Sequence, residues 1–165
     1  MKQILLLLAL FVLTGLQAQT PEQRLEELGI TLPEFSKPVA NYVKWRKSGN
    51  LLFLAGDGSV AKGKLGKDLT VEEGYQAARM TGIEILATLK AACGELSNIK
   101  QFVKVLGMVN SAPDFYDQPK VINGFSDLMV EVFGEKGKHA RSAVGMGSLP
   151  SNIALEIEVI VELNE

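Results

Sequence analysis

From Ile153 to Leu163 the chain alternates with period two. Ile153, Leu155, Ile157, Val159, Val161 and Leu163 take one side and Glu156, Glu158 and Glu162 the other, which predicts a strand with one apolar face and one face carrying carboxylates. A second extended run, Ala140 to Gly147, precedes it, and Pro150 and Asn152 supply turn chemistry between the two. Further back, Tyr42, Lys44 and Arg46 alternate with Val43 and Trp45. Ser48-Gly49-Asn50 breaks that run, and Leu51 to Ala55 begins a more buried strand, so the two form a hairpin. Ile99 to Asn110, rich in Val, is another strand and ends at the turn-forming Ser111-Ala112-Pro113-Asp114.

Between the strands the period lengthens. Thr70-Val71-Glu72-Glu73 is a capping box that opens a helix running to about Ala92, before Gly94. Tyr75, Ala78, Gly82, Ile85, Leu86 and Leu89 form its apolar stripe, while Glu72, Gln76, Arg79, Glu84, Thr88 and Lys90 fall on the opposite face. A second helix starts near Gln118, with Pro119 in its first turn and Gly134 past its end. Its buried stripe is Val121 or Ile122, Phe125, Leu128 or Met129, and Val132; Asn123 lies off that stripe and reads, on periodicity alone, as a surface residue.

Two strands, a helix, a strand, a helix and two strands make an α+β domain, one mixed sheet with two helices on one face. Two helices cover one side of a sheet and no more. Phe102, Val103, Leu106 and Ile160 nevertheless put apolar residues on both sides, so the second side calls for another copy of the chain.

The ends read differently. Met1 and Lys2, the apolar run Ile4 to Leu13, and the small or polar tail Thr14-Gly15-Leu16-Gln17-Ala18 have the form of a secretory signal peptide, residues 1–18. The run is short of the roughly 20 residues that cross a bilayer, so export to the periplasm or beyond is expected, without stable membrane insertion. Residues 19–36 form an N-terminal arm. In it Thr20-Pro21-Glu22-Gln23 caps a short helix that Gly29 ends, and Pro33 and Pro38 keep the connector extended. The main domain, residues 37–165, has room for one core.

A net charge of −2 with both signs interspersed offers no basic stripe for a phosphate backbone, so no nucleic-acid partner is expected. The glycines of Gly56-Asp57-Gly58 and Lys62-Gly63-Lys64-Leu65-Gly66 lack the Lys-Ser or Lys-Thr ending of a phosphate loop. Cys93 is the sole cysteine and reads as a small core residue. His139 is the sole histidine, has no partners at metal spacing, and reads as a solvated loop imidazole whose replacement by Ala leaves turnover within a few fold.

Two groups could carry chemistry: Arg141 and Glu156, on what the sequence presents as neighbouring strands, within reach of one small pocket. A Glu at alternate positions is most often the wet face of a half-buried sheet, with an Arg offsetting the repulsion. The wording of the segment argues for more. Arg141-Ser142-Ala143-Val144-Gly145-Met146-Gly147-Ser148-Leu149-Pro150, followed by Glu156-Ile157-Glu158, closely resembles the signature of the Rid proteins, the YjgF-like reactive intermediate deaminases once labelled endoribonuclease L-PSP. Asn41-Tyr42-Val43, the run from Gly49 to Gly56, Val103-Lys104-Val105 and Val121-Ile122-Asn123 resemble further family segments in the same order.

The resemblance implies a chorismate mutase-like fold, a homotrimer with clefts between subunits, and hydrolytic deamination of small imines or enamines of the 2-iminobutanoate and 2-iminopropanoate type. It implies no cofactor and no metal. Arg141 matches the arginine that holds the substrate carboxylate and Glu156 the glutamate that positions water. Tyr42, Gly56, Asn123 and Ala143 match substrate-pocket positions, Ala143 through its main-chain carbonyl where many members have Cys. Ala55 and Asp57 depart from the family's Ser and Gln around Gly56. The alternative is a non-catalytic trimeric module that binds small carboxylates or a protein partner.

Overall fold

The computed structural model describes residues 19–165; the signal-peptide reading falls on residues 1–18 and so lies outside the described residues. Among the described residues three α-helices and six strands follow one another as α1 (Pro21–Glu27), β1 (Trp45–Ser48), β2 (Leu51–Leu54), β3 (Asp57–Gly58), α2 (Val71–Cys93), β4 (Ile99–Asn110), α3 (Gln118–Phe133), β5 (Ala140–Met146) and β6 (Leu155–Leu163). The strands form one sheet in the order β1-β2-β6-β4-β5, with the two-residue β3 pairing β6. β4 and β5 run parallel and the other pairs antiparallel. A parallel pair needs a long crossover, which α3 supplies.

The helix starts are as the sequence dictates. Thr20 and Thr70 each accept from the backbone N–H three residues on, and Gln23 and Glu73 return the bond to the cap N–H. α2 and α3 lie over one face of the sheet. Leu155, Ile157, Val159 and Val161 of β6 point into that layer and are buried with Val105, Val109, Ile85, Leu86, Phe125 and Leu128. Burying such side chains contributes about 1.5–3 kcal/mol each.

Among the described residues no helix covers the other face. Phe53 of β2 and Val144 of β5 are exposed there, on the same side as Ile160 and Met108, their partners in register. Glu156 and Glu158 share this face with Ile160 along β6.

α1 docks at the end of the helical layer. Leu25 is buried, Arg24 Nε donates to the Glu131 carbonyl at 3.2 Å, and a Glu22 carboxylate oxygen accepts from the Leu96 N–H at 2.7 Å.

Two departures from the sequence reading bear on the site. The hairpin begins at Trp45, with Asn41 and Tyr42 in a bend. Alternation fails there because Lys44 is buried, its ammonium paired with the Asp57 carboxylate, while Tyr42 and Arg46 stay exposed. Thr88, assigned by periodicity to the polar face of α2, is also buried, with its hydroxyl 3.4 Å from the second Asp57 oxygen. A buried ion pair must satisfy its remaining lone pairs, and that requirement overrides both local patterns.

Candidate functional site

Arg141 is the second residue of the edge strand β5, in register with the buried Val105 of β4. It therefore projects toward the helical layer, where α3 offers two polar side chains one turn apart. Its Nη1 donates to Asn123 Oδ1 at 2.9 Å and to Ser126 Oγ at 3.0 Å. Among the described residues its Nε and Nη2 have no protein acceptor, so one edge of the guanidinium fork remains available to a ligand. Ala143, two residues on and on the same face of β5, packs against the core. The Asn123 that periodicity placed on the surface is half-buried and touches Arg141.

His139 continues this cluster. Its Nε2 lies 3.1 Å from Ser126 Oγ and its Nδ1 lies 2.7 Å from the Gly137 carbonyl oxygen. The ring packs edge to face on Phe125 at 5.8 Å. Burial lowers its pKa; the Gly137 carbonyl opposes this, and the Arg141 charge adds to it. It is therefore not the solvated loop imidazole expected from its Gly- and Lys-rich surroundings. Two aromatic residues, Phe102 of β4 and Phe125 of α3, enclose it through tertiary packing. Ser126 is a site residue the sequence reading missed; its signal was the spacing of three from Asn123, which puts both on one helix edge.

Glu156 lies elsewhere. On β6 it pairs in register with Met108 on one side and Gly58 on the other, and it points to the uncovered face. A Cβ at position 56 would overlap Glu156 Oε1, so Gly56 is what lets the carboxylate settle against the backbone. Burial raises the Glu156 pKa, with Glu158 and Asp57 adding to the shift and Lys44 opposing it. Tyr42, two residues before Lys44, is exposed, and among the described residues its side chain makes no hydrogen bond.

Arg141 and Glu156 therefore do not share a pocket within one chain. β4 lies between their strands, because α3 carries the chain from β4 to the parallel position beside it and β6 returns along the opposite edge of β4. Two strand spacings and three residues of offset separate their Cα atoms by roughly 14 Å, and the side chains leave opposite faces of the sheet. The residues singled out fall into two separate clusters: Arg141, Asn123, Ser126, His139 and Ala143 at the β5 edge, and Glu156, Gly56 and the Lys44–Asp57 pair beside β3.

Cys93 belongs to neither. Its thiol donates to the Leu89 carbonyl at 2.9 Å, and burial pushes its pKa up to about 11, which leaves it almost wholly protonated and poorly nucleophilic.

A mixed sheet with a helical layer on one face is the architecture of the chorismate mutase-like class of α+β domains. Within it the chain belongs to the family described as "YjgF/chorismate mutase-like, putative endoribonuclease", whose model matches residues 22–163, all of α1 but its first residue included. It is 44% identical over 147 residues to Protein TCP17 of Trypanosoma cruzi, covering 85% of this chain and 92% of that one. It is 32% identical over 131 residues to the RutC family protein PH0854 of Pyrococcus horikoshii, covering 75% and 88%. Among solved structures, the protein Atu1372 of Agrobacterium tumefaciens is 45% identical, superposes with a TM-score of 0.81, and covers 87% of this chain and 92% of its own. Membership of this family supports a Rid-like role.

Proposed function

We propose that the protein hydrolyses small 2-imino acids, of the 2-iminobutanoate and 2-iminopropanoate type, to 2-oxo acids and ammonia. The observation that carries this reading is the state of Arg141: Nη1 is held by Asn123 and Ser126, while the Nε–Nη2 edge has no acceptor among the described residues. A pre-set guanidinium edge binds a carboxylate through two parallel hydrogen bonds, a geometry an ammonium lacks.

The second cluster, the other half-site, supplies the base. Glu156, its carboxyl pKa raised by partial burial, takes a proton from water as the water oxygen bonds to the imine carbon. Returning that proton to nitrogen gives the neutral carbinolamine; Glu156 then takes the hydroxyl proton and delivers it to nitrogen as the C–N bond breaks, so one water is consumed and one 2-oxo acid and one ammonia appear.

Because the halves lie on opposite faces of one sheet, the reading requires Arg141 of one copy to meet Glu156 of another across a subunit boundary. The bare apolar face is the surface that brings copies together, and a homotrimer is the assembly proposed. Export to the periplasm or beyond is part of the same reading, and intact-mass measurement of the mature chain tests it.

The departures at Ala55 and Asp57 favour one alternative, a trimeric module that binds small carboxylates, or a protein partner, without turnover. Here both Asp57 oxygens already accept from protein donors, one from Lys44 and one from Thr88. A coupled assay with freshly generated 2-iminobutanoate and 2-iminopropanoate decides between the two. Acceleration of 2-oxo acid release over the buffer rate supports the hydrolase; binding of 2-oxobutanoate with no acceleration supports the module.

A further inference from the structure

We infer that Ser126 and His139 are positioning residues for Arg141, joined to its Nη1 in a hydrogen-bonded chain that ends on the Gly137 carbonyl. The inference rests on the proposed function only in taking the ligand of Arg141 to be a substrate carboxylate; the chain itself is set by donors and acceptors. The Gly137 oxygen accepts only, so His139 Nδ1, 2.7 Å away, carries the ring proton. The neutral ring then presents Nε2 as an acceptor. Ser126 Oγ accepts from Arg141 Nη1 at 3.0 Å, and its own proton is directed to His139 Nε2 at 3.1 Å. Every donor in the series has one acceptor, and only the Nδ1–H tautomer satisfies them all.

The surroundings favour that tautomer. Phe102 from β4 and Phe125 from α3 pack on the ring, Ser126 faces Nε2, Gly137 faces Nδ1, and Arg141 is the charge acting on it among the described residues. A second proton on the ring would turn two donors toward one serine oxygen beside a guanidinium. With the series intact, Asn123 and Ser126 fix Nη1 from two directions, which leaves the Nε–Nη2 edge one orientation. Without Ser126 a single anchor remains, and the edge gains freedom that binding must then remove.

The test uses the leaderless protein and the variants Ser126→Ala, His139→Phe, His139→Gln and the double variant Ser126→Ala/His139→Phe. Phe keeps the aromatic packing and removes the acceptor; Gln keeps an acceptor near the Nε2 position. Nitrogen-15 NMR should show the Nδ1–H tautomer at neutral pH and hindered rotation of the Arg141 guanidinium, lost in Ser126→Ala and His139→Phe and retained in His139→Gln. Calorimetric affinity for 2-oxobutanoate should fall about tenfold in either single variant. The double variant should fall no further, since links of one chain are not additive. An Nε2–H tautomer, or a guanidinium as restrained in His139→Phe as in wild type, overturns the inference whatever the ligand. Should wild type bind no 2-oxo acid while the NMR behaves as expected, the positioning chain stands and the imine reading falls. Should imine turnover proceed with Arg141 and its affinity indifferent to both substitutions, the reverse holds.

Discussion

Arg141 and Asn123 lie 18 residues apart in the chain, yet Nη1 of one donates to Oδ1 of the other at 2.9 Å. That bond fixes one edge of the guanidinium and frees the opposite edge. Replacing Arg141 by Ala should cost at least ~3 kcal/mol of transition-state stabilisation, the scale of a deleted charge-assisted contact. Arg141→Lys keeps the charge without the fork and should also lose most activity. The imine assay measures both, and near wild-type kcat/KM in either variant ends the hydrolase reading.

Glu156 and Gly56 form the matching test on the other half-site. Gly56→Ala places a methyl group where Glu156 Oε1 rests. The displaced atom is the end of a flexible side chain, so the fold should survive, with a thermal midpoint within a few degrees of wild type. Turnover should drop about tenfold or more as the carboxylate leaves its seat. Full activity in a well-folded Gly56→Ala protein would show that this seat is irrelevant to the chemistry.

The pH dependence follows from the direction of the Glu156 shift. Its pKa is raised above the ordinary 4.5 chiefly by burial, so the acidic limb of kcat/KM should lie above that value. For stability, the folded chain holds this proton more tightly than the unfolded one, so stability falls as pH rises through the interval between the two pKa values. Glu156→Gln should therefore melt higher than wild type at neutral pH, and the difference should close as pH drops below the unfolded value. The same variant should be inactive. A lower melting point at pH 7, measured by calorimetry, contradicts the account.

Mixing two dead variants tests where the site is assembled. In the proposed homotrimer, each hybrid of Arg141→Ala and Glu156→Gln chains has one boundary of its three with both intact halves in the correct order, so about one boundary in four is intact over an equimolar refolded mixture. Roughly that share of wild-type activity should return. No recovery, in mixtures shown by native mass spectrometry to contain hybrids, rules out a site shared between copies.

The arm offers a stability measurement independent of any function. Leu25 of α1 is buried in the core, so Leu25→Ala should cost about 2–3 kcal/mol of unfolding free energy. Urea titration reads it directly, and a loss under ~0.5 kcal/mol would mean that the arm is only loosely docked.

The elements were legible because each has its own period and its own punctuation. β4 runs from Ile99 to Asn110 and α3 starts at Gln118, as the Val-rich run and Pro119 indicated. Lys44 and Thr88 were misjudged for one shared reason: local alternation carries no trace of a partner as distant as Asp57. The adjacency of Arg141 and Glu156 failed differently. Neighbours in sequence need not be neighbours in a sheet: β5 and β6 take opposite sides of β4, and no pattern within either strand records that β4 separates them. His139 looked solvated because its neighbours in sequence are Gly and Lys, whereas its neighbours in space are Phe102 and Phe125.

Because Arg141 and Glu156 face away from each other through the thickness of one sheet, a solitary subunit of the proposed hydrolase is chemically silent. Specific activity should then depend on dilution, falling once the protein is thinned below the dissociation constant of the assembly and returning when it is concentrated. A chain in transit, or newly refolded and alone, would carry the parts of the catalyst without being one.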